Sequence, residues 1–205
     1  SLPVPVLYDD VVTLFAQSNV GYTPTAIVGY GGLSGEYYFY QHMDVWRHEL
    51  LNRFTPRDVV MPRSRRRLMA ADDDWNHIRI MEGAKQVYDA GGLVHLGAHG
   101  QLQGLGAHWE LWMFEQGGMS PIEAIDAATL MGARYLGMEK DLGSLEPGKL
   151  ADLVVLGRNP LENIRNTDSV QMVMLNGRLF DAMTLQELAG RDRWSARKPL
   201  WFEGQ

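Results

Sequence analysis

Apolar residues return at helical spacing along several stretches of the chain. Trp75, Ile78, Met81, Ala84, Val87 and Tyr88 recur every three to four residues and predict a helix from about Trp75 to Ala90. Asp72-Asp73-Asp74 precedes it, and Gly91-Gly92 stops it, because glycine accepts the left-handed conformation of a helix end. Tyr8 to Ala16 reads as a shorter amphipathic helix with Asp9 and Asp10 at its positive end. Ala107 to Gln116 is a third helix. Ser120-Pro121-Ile122-Glu123 opens a fourth with a capping box and a proline in the first turn, and it runs to about Leu136 before Gly137.

Other segments carry extended patterns. Gly21 to Gly29 is rich in residues that favour strands, with Pro24 as a dissonant note. Leu93 to Ala98 mixes apolar and small residues, as a strand covered on both faces does. Pro147-Gly148 predicts a type II turn feeding a strand at Leu153 to Leu156. Val170 to Leu175, Asn176-Gly177 and Arg178 to Phe180 form a strong hairpin signal. Thr184 to Ala189 reads as a last helical turn, and Arg191 to Gln205 as a peripheral tail anchored by Trp194 and Trp201. Tyr30 to Met69 reads as a long irregular excursion, with a cluster of aromatic residues and one helical piece from Asp44 to Phe54.

Composition narrows the function classes. The 205 residues are 45% hydrophobic and 21% charged, an ordinary balance for a packed domain with a small appendage. The net charge of -6 argues against nucleic-acid and anionic-membrane partners. The absence of cysteine excludes disulfides, thiolate metal sites and a cysteine nucleophile. No run approaches the ~18 apolar residues that span a bilayer, and no signal-peptide pattern opens the chain. The compartment stays open.

The segment from Leu142 to Leu156 (Leu142-Gly143-Ser144-Leu145-Glu146-Pro147-Gly148-Lys149-Leu150-Ala151-Asp152, then Leu153-Val154-Val155-Leu156) follows a helix ending Ala133-Arg134-Tyr135-Leu136-Gly137. It resembles the C-terminal signature of the amidohydrolase superfamily, within it most closely the imidazolonepropionase and prolidase-like branch. The resemblance covers roughly Tyr8 to Asp181 and implies an α/β fold: the C-terminal part of a TIM barrel plus part of a small flanking β-sandwich. Residues 1–140 then form a partial barrel, with Gly21 to Gly29 and Leu93 to His99 resembling the seventh and eighth strands. Residues 141–183 form a piece of the sandwich, and 184–205 a tail. A complete barrel needs ~250 residues, so a C-terminal portion is expected. The resemblance implies hydrolysis of a carbon–nitrogen bond in an amide, cyclic amide or dipeptide, assisted by a divalent metal, zinc by expectation.

The family's His-x-His pair is absent, and where relatives carry Gly-Ser-Asp-Gly this chain reads Gly97-Ala98-His99-Gly100. His99 is therefore the candidate catalytic residue and metal ligand; the alternative is a hydrogen-bonding histidine at a strand end. His95 lies four residues away, ~13 Å along a strand, so the two cannot share an ion with bonds of ~2 Å; it is expected in the interior. Tyr30, Gln101 and His108 are candidate substrate contacts. His42, His48 and His77 carry no ligand spacing. The loop Gly100 to Gly106 lacks the lysine of a P-loop and reads as flexible access to a barrel mouth. Tyr37-Tyr38-Phe39-Tyr40 is either a substrate lid or packing onto the rim. Arg63-Ser64-Arg65-Arg66-Arg67 reads as a solvated run balanced by Asp72 to Asp74, and Ser1 has no context of an N-terminal nucleophile. Two functions follow: a metal-dependent hydrolase lacking a full ligand set in this chain, or a catalytically silent module that needs a partner. An open set of strands invites self-association, so a homo-oligomer is expected.

Overall fold

The helix richest in bulky apolar residues organises the core. In a computed structural model, which describes residues 7–29 and 33–189, the helices are α1 (Asp9–Ser18), α2 (Gly35–His42), α3 (Glu49–Phe54), α4 (Arg57–Arg65), α5 (His77–Asp89), α6 (Leu105–Gln116), α7 (Pro121–Ala128) and α8 (Leu130–Tyr135). Seven residues of α6 are buried, including Trp109, Trp112, Met113 and Phe114. A helix apolar on most sides must be surrounded, and α2, α5 and α7 pack against α6. Phe39 of α2 stacks on Trp109 with ring centroids 5.0 Å apart, and Tyr40 meets the same indole edge-on. The amphipathic pattern of α5 places Met81, Ala84 and Val87 in this core.

The two expected barrel-type strands lie side by side and parallel, but only as a single bridge between Tyr22 and Val94. Tyr22 N–H donates to Leu93 C=O at 2.7 Å and His95 N–H to Tyr22 C=O at 3.0 Å. The next donor in a parallel ladder would be residue 24, which is proline and has no N–H. The chain then turns through Thr25, with φ of 49°, into a 3-10 turn at Ala26–Val28. Gly21 to Gly29 and Leu93 to Ala98 are therefore adjacent extended segments rather than continuous strands.

The excursion is mostly helical, in contrast to the irregular chain expected. It contains α2, a 3-10 turn at Val45–Arg47, α3 and α4, so the expected helical piece from Asp44 is divided. The aromatic residues supply the reason: Phe39 and Tyr40 are buried at one face of α2, and a helix buries them without leaving backbone groups unpaired. The single helix expected from Ser120 breaks at Thr129 (φ −131°, ψ −86°) into α7 and α8. Its capping box between Ser120 and Glu123 is present.

A four-stranded antiparallel sheet follows in the order β1 (Leu153–Leu156), β2 (Val170–Leu175), β3 (Arg178–Asp181) and β4 (Glu187–Ala189). Asn176 and Gly177, with φ of 50° and 76°, make the hairpin turn. The last helical turn expected at Thr184 to Ala189 is instead β4, held on β3 by Arg178, whose guanidinium donates to Glu187 at 2.8 and 3.2 Å. The expected tail from Arg191 onward lies outside the described residues.

The Gly143 to Leu150 signature is a closed loop built around one lysine. Lys149 N–H donates to Glu146 C=O at 3.2 Å across Pro147-Gly148, and Gly148 has the φ of 98° that a type II turn asks of its third residue. The Lys149 ammonium donates to Glu139 C=O at 2.6 Å and pairs with Glu146 at 3.2 Å, with its side chain only 11% exposed.

Candidate functional site

The turn that carries His99 is tight. Gln101 N–H donates to Ala98 C=O at 2.9 Å, and the two central residues, His99 and Gly100, have φ of 52° and 71°. Two successive positive φ angles give the turn its type I′ character. Glycine is at ease there; histidine is one of the few other residues found at such φ with any frequency. His99 is exposed at the end of the segment that runs beside Tyr22, and no described residue engages its imidazole.

Gln101 is not a free loop residue. Its side-chain amide donates to the Glu36 carboxylate at 3.1 Å. Glu36, at the start of α2, is 3% exposed and also accepts from Arg63 of α4 at 3.1 Å. Burial pushes the Glu36 carboxyl above its ordinary range; the Arg63 charge and the Gln101 hydrogen bond pull in the opposite direction.

Glu36 is itself seated by its neighbours. A Cβ on Gly35 would lie 2.8 Å from Ala26 C=O and 2.7 Å from Met113, so only glycine lets α2 approach this closely. Ser34 donates to Ile27 C=O at 2.7 Å. The Ala26 and Ile27 N–H groups donate to the fully buried Glu110 carboxylate at 2.9 and 3.0 Å. Desolvation raises the Glu110 pKa to about 8, against the lowering effect of those two donors.

The remaining histidines are placed elsewhere. His95 Nδ1 lies 2.6 Å from Thr23 Oγ1 and its ring packs on Tyr135 at 4.7 Å; burial holds its pKa below the ordinary value. His108, on α6, has a buried Nδ1 without a hydrogen-bond partner. Burial lowers its pKa, and the charges acting on it are those of Asp168 and His48, which lie 3.7 Å apart. That is the junction between the excursion and the sheet. His77 is buried against Gln116 at 3.0 Å, with its pKa driven to about 4 chiefly by desolvation. Tyr30 lies outside the described residues. Of the sequence-derived candidates, the structure brings His99 and Gln101 together on one turn.

The arginine run is not balanced as the sequence suggested. Arg63 pairs with Glu36 and Arg67 with Asp44, whereas Asp72 lies 3.2 Å from His42. A groove of about 290 Å³ lies apart from the His99 turn, between α5, α7 and the signature loop, and is bordered by Tyr88, Asp126, Thr129, Leu130 and Ser144.

Residues 87–180 match the amidohydrolase family. The fold of the chain aligns over 85% of its length with the crystal structure of a Xaa-Pro dipeptidase with bound methionine, covering 38% of that chain at 25% identity and a TM-score of 0.58. Residues 87–180 are thus those of an amidohydrolase-superfamily portion. The chain is 56% identical over 39 residues to imidazolonepropionase of Symbiobacterium thermophilum, 19% of this chain and 9% of that protein. It is 35% identical over 109 residues to ochratoxinase of Aspergillus niger, 51% of this chain and 22% of that protein. The ochratoxinase crystal structure aligns with 87% of this chain and 36% of its own, at 21% identity and a TM-score of 0.55. The chain thus spans well under half the length of each of these relatives.

Superfamily members generally use divalent metals. The described residues of this chain do not fit a metal centre by themselves: no three His, Asp or Glu side chains among them converge to hold an ion. His99 is a single donor on its turn, and His95 Nδ1 is occupied by Thr23.

Sequence reasoning missed Glu36 and Glu110. Glu110 had a visible signal, a lone carboxylate inside the run Leu105 to Phe114 of an apolar helix. Glu36 had none, since its partners Arg63 and Gln101 stand 27 and 65 positions away.

Proposed function

We propose that this chain supplies part of the active-site rim of a metal-dependent hydrolase acting on a carbon–nitrogen bond in an amide, a cyclic amide or a dipeptide. The observation that carries this reading is the amidohydrolase match over residues 87–180, within which His99 stands exposed on a turn at the end of one of two parallel segments. Those segments are read as part of a TIM-type barrel wall within residues 1–140. The antiparallel sheet is read as part of the flanking sandwich within residues 141–183. The similarity to a Xaa-Pro dipeptidase favours a peptide or amide substrate.

In this reading His99 handles a proton. An exposed imidazole can take a proton from an attacking water and return it to the leaving nitrogen. Gln101, also on this turn, has its side chain held by Glu36 and its N–H by Ala98 C=O, so its part in this reading is to shape the turn that presents His99. The remaining ion-holding side chains come from outside the described residues.

A second reading is favoured by the sheet. Val154, Val173, Leu175 and Leu188 are exposed on its strands, and apolar positions left open on a sheet invite a covering partner. In that reading the chain is a silent or partner-requiring module, and it self-associates.

Elemental analysis, light scattering and hydrolysis assays, on the purified chain alone and joined to an amidohydrolase barrel half that carries the missing ion-holding side chains, separate the two. The first reading expects zinc-dependent cleavage of Xaa-Pro dipeptides or N-acyl amino acids in the joined protein only, lost in His99→Ala. A joined protein that binds zinc yet stays inactive, or whose activity is unchanged in His99→Ala, would overturn it in favour of the second.

A further inference from the structure

We infer that Glu36 is a positioning residue: through Gln101 it locks the His99 turn in its left-handed conformation and so fixes where the imidazole is presented. The importance of that placement to chemistry rests on the reading of His99 given above; the locking itself does not.

Three observations support it. First, the turn needs an external restraint. One backbone hydrogen bond, Gln101 N–H to Ala98 C=O, closes it, while His99 occupies a φ of 52° that a β-carbon disfavours. Such conformations persist where the surroundings over-determine them. Second, the restraint is built from buried parts. The Glu36 carboxylate is nearly inaccessible to water and receives one donor from Gln101 and one from Arg63, each at 3.1 Å. A carboxylate in that setting loses heavily if a donor leaves, because no solvent replaces it. Gln101 is thereby held by the carboxylate's own need for a partner.

Third, the anchor cannot drift. Gly35, immediately before Glu36, packs against Ala26 C=O, and Ser34 is tied to Ile27 C=O. The N–H groups of those same two residues are gripped by Glu110 from α6, the helix that begins where the His99 loop ends. The loop is therefore fastened at both ends of one rigid assembly. Gly106, at the start of α6, packs so tightly on Gln101 C=O that an added Cβ would overlap the oxygen. Gln101 is restrained by its side chain from one side and by its backbone from the other. The reading of Gly100 to Gly106 as a flexible access loop gives way here to a fixed one over its first residues.

The test is NMR on the whole chain. Backbone order parameters at residues 98–103, together with the His99 imidazole resonances, are compared in wild type, Glu36→Gln, Gln101→Ala and the core control Val60→Ala. The expected result is a fall in order from about 0.85 to below about 0.6 in Glu36→Gln and Gln101→Ala, with the His99 ring signals narrowing as the ring averages over more orientations. Val60→Ala should lose global stability yet keep the turn ordered. Should Glu36→Gln fail to fold, Gln101→Ala decides alone, since it leaves the Glu36–Arg63 pair intact. An unchanged turn in Gln101→Ala, or equal loosening in Val60→Ala, overturns the inference. Neither measurement involves hydrolysis, so a failed assay for the proposed activity leaves this result standing.

Discussion

Glu110 makes this chain lose stability as the pH rises above neutrality. Its carboxylate is 0% exposed, has no cation among its hydrogen-bond partners, and titrates near pH 8 rather than near 4.5. Between those two values the folded chain binds a proton that the unfolded chain has released. Stability from this group is therefore fully present below about pH 4.5 and is lost as pH rises through 8. At 1.36 kcal/mol per unit the whole window is worth about 5 kcal/mol at most. Glu36 shares this direction, with Arg63 and Gln101 opposing its shift. His77 has the opposite sign. Its folded pKa of about 4 lies below its ordinary value of 6.5, so it adds stability as pH rises from 4 to 6.5, and His95 and His108 share that direction. Between pH 4.5 and 6.5 His77 and Glu110 act in opposite directions. From pH 6.5 to 8 each of these histidines still adds up to about 0.4 kcal/mol as the unfolded chain releases its last protons, whereas Glu110 should remove about 2 kcal/mol, a loss isolated by the difference between wild type and a Glu110 variant. Urea unfolding followed by tryptophan fluorescence, reported by the buried Trp109 and Trp112, measures this at pH 6.5, 7.25 and 8.0. Glu110→Gln should begin about 1–3 kcal/mol lower, because its amide can accept only one of the two N–H groups, and should then lose most of the fall across the same interval. An equal slope in variant and wild type would refute the reasoning.

Gly106→Ala should cost about 3 kcal/mol or prevent folding, because its methyl would overlap Gln101 C=O; thermal unfolding checks it. Lys149→Met keeps the aliphatic stem but removes the donors to Glu139 C=O and the pair with Glu146, and should lower the unfolding free energy by about 1–3 kcal/mol. Its hydrogen-exchange protection should fall first at the residue 149 amide, which closes the Pro147-Gly148 turn. Asn176→Ala places alanine at a φ of 50° in the hairpin turn and should cost about 1 kcal/mol, read from urea midpoints.

The parts of the fold that could be read from the sequence are those governed by local chemistry. The capping box at Ser120, the type II turn at Pro147-Gly148 and the Asn176-Gly177 hairpin each depend on residues within a few positions, and each is present. The periodicity of α5 survives for the same reason. Departures arise where distant residues decide. Gly21 to Gly29 has strand propensity, yet Pro24 ends the ladder and Glu110, more than eighty positions away, takes the N–H groups of Ala26 and Ile27. The helical turn expected from Thr184 to Ala189 gives way similarly: the end of that segment becomes strand because Arg178 on β3 captures Glu187. At the site, His99 was visible as a histidine entering a glycine loop, but the partner that fixes its turn was not, because nothing in the spacing of Glu36 and Gln101 links them.

The candidate site is supported from the helical core rather than from a sheet. In a barrel wall, extended ladders would hold the catalytic loops; among the described residues here, the parallel pairing amounts to one bridge between Tyr22 and Val94. The loop positions are instead set by side chains that reach from helices and their flanks to the loops: Glu110 to Ala26 and Ile27, Ser34 to Ile27, and Glu36 to the side chain of Gln101. Such bonds are worth most when buried, since a lost partner there is not replaced by water. The order of the His99 turn therefore depends on the packing of α2 against α6. A substitution at their shared contact, such as Phe39 on Trp109, should loosen the turn without touching any residue in it.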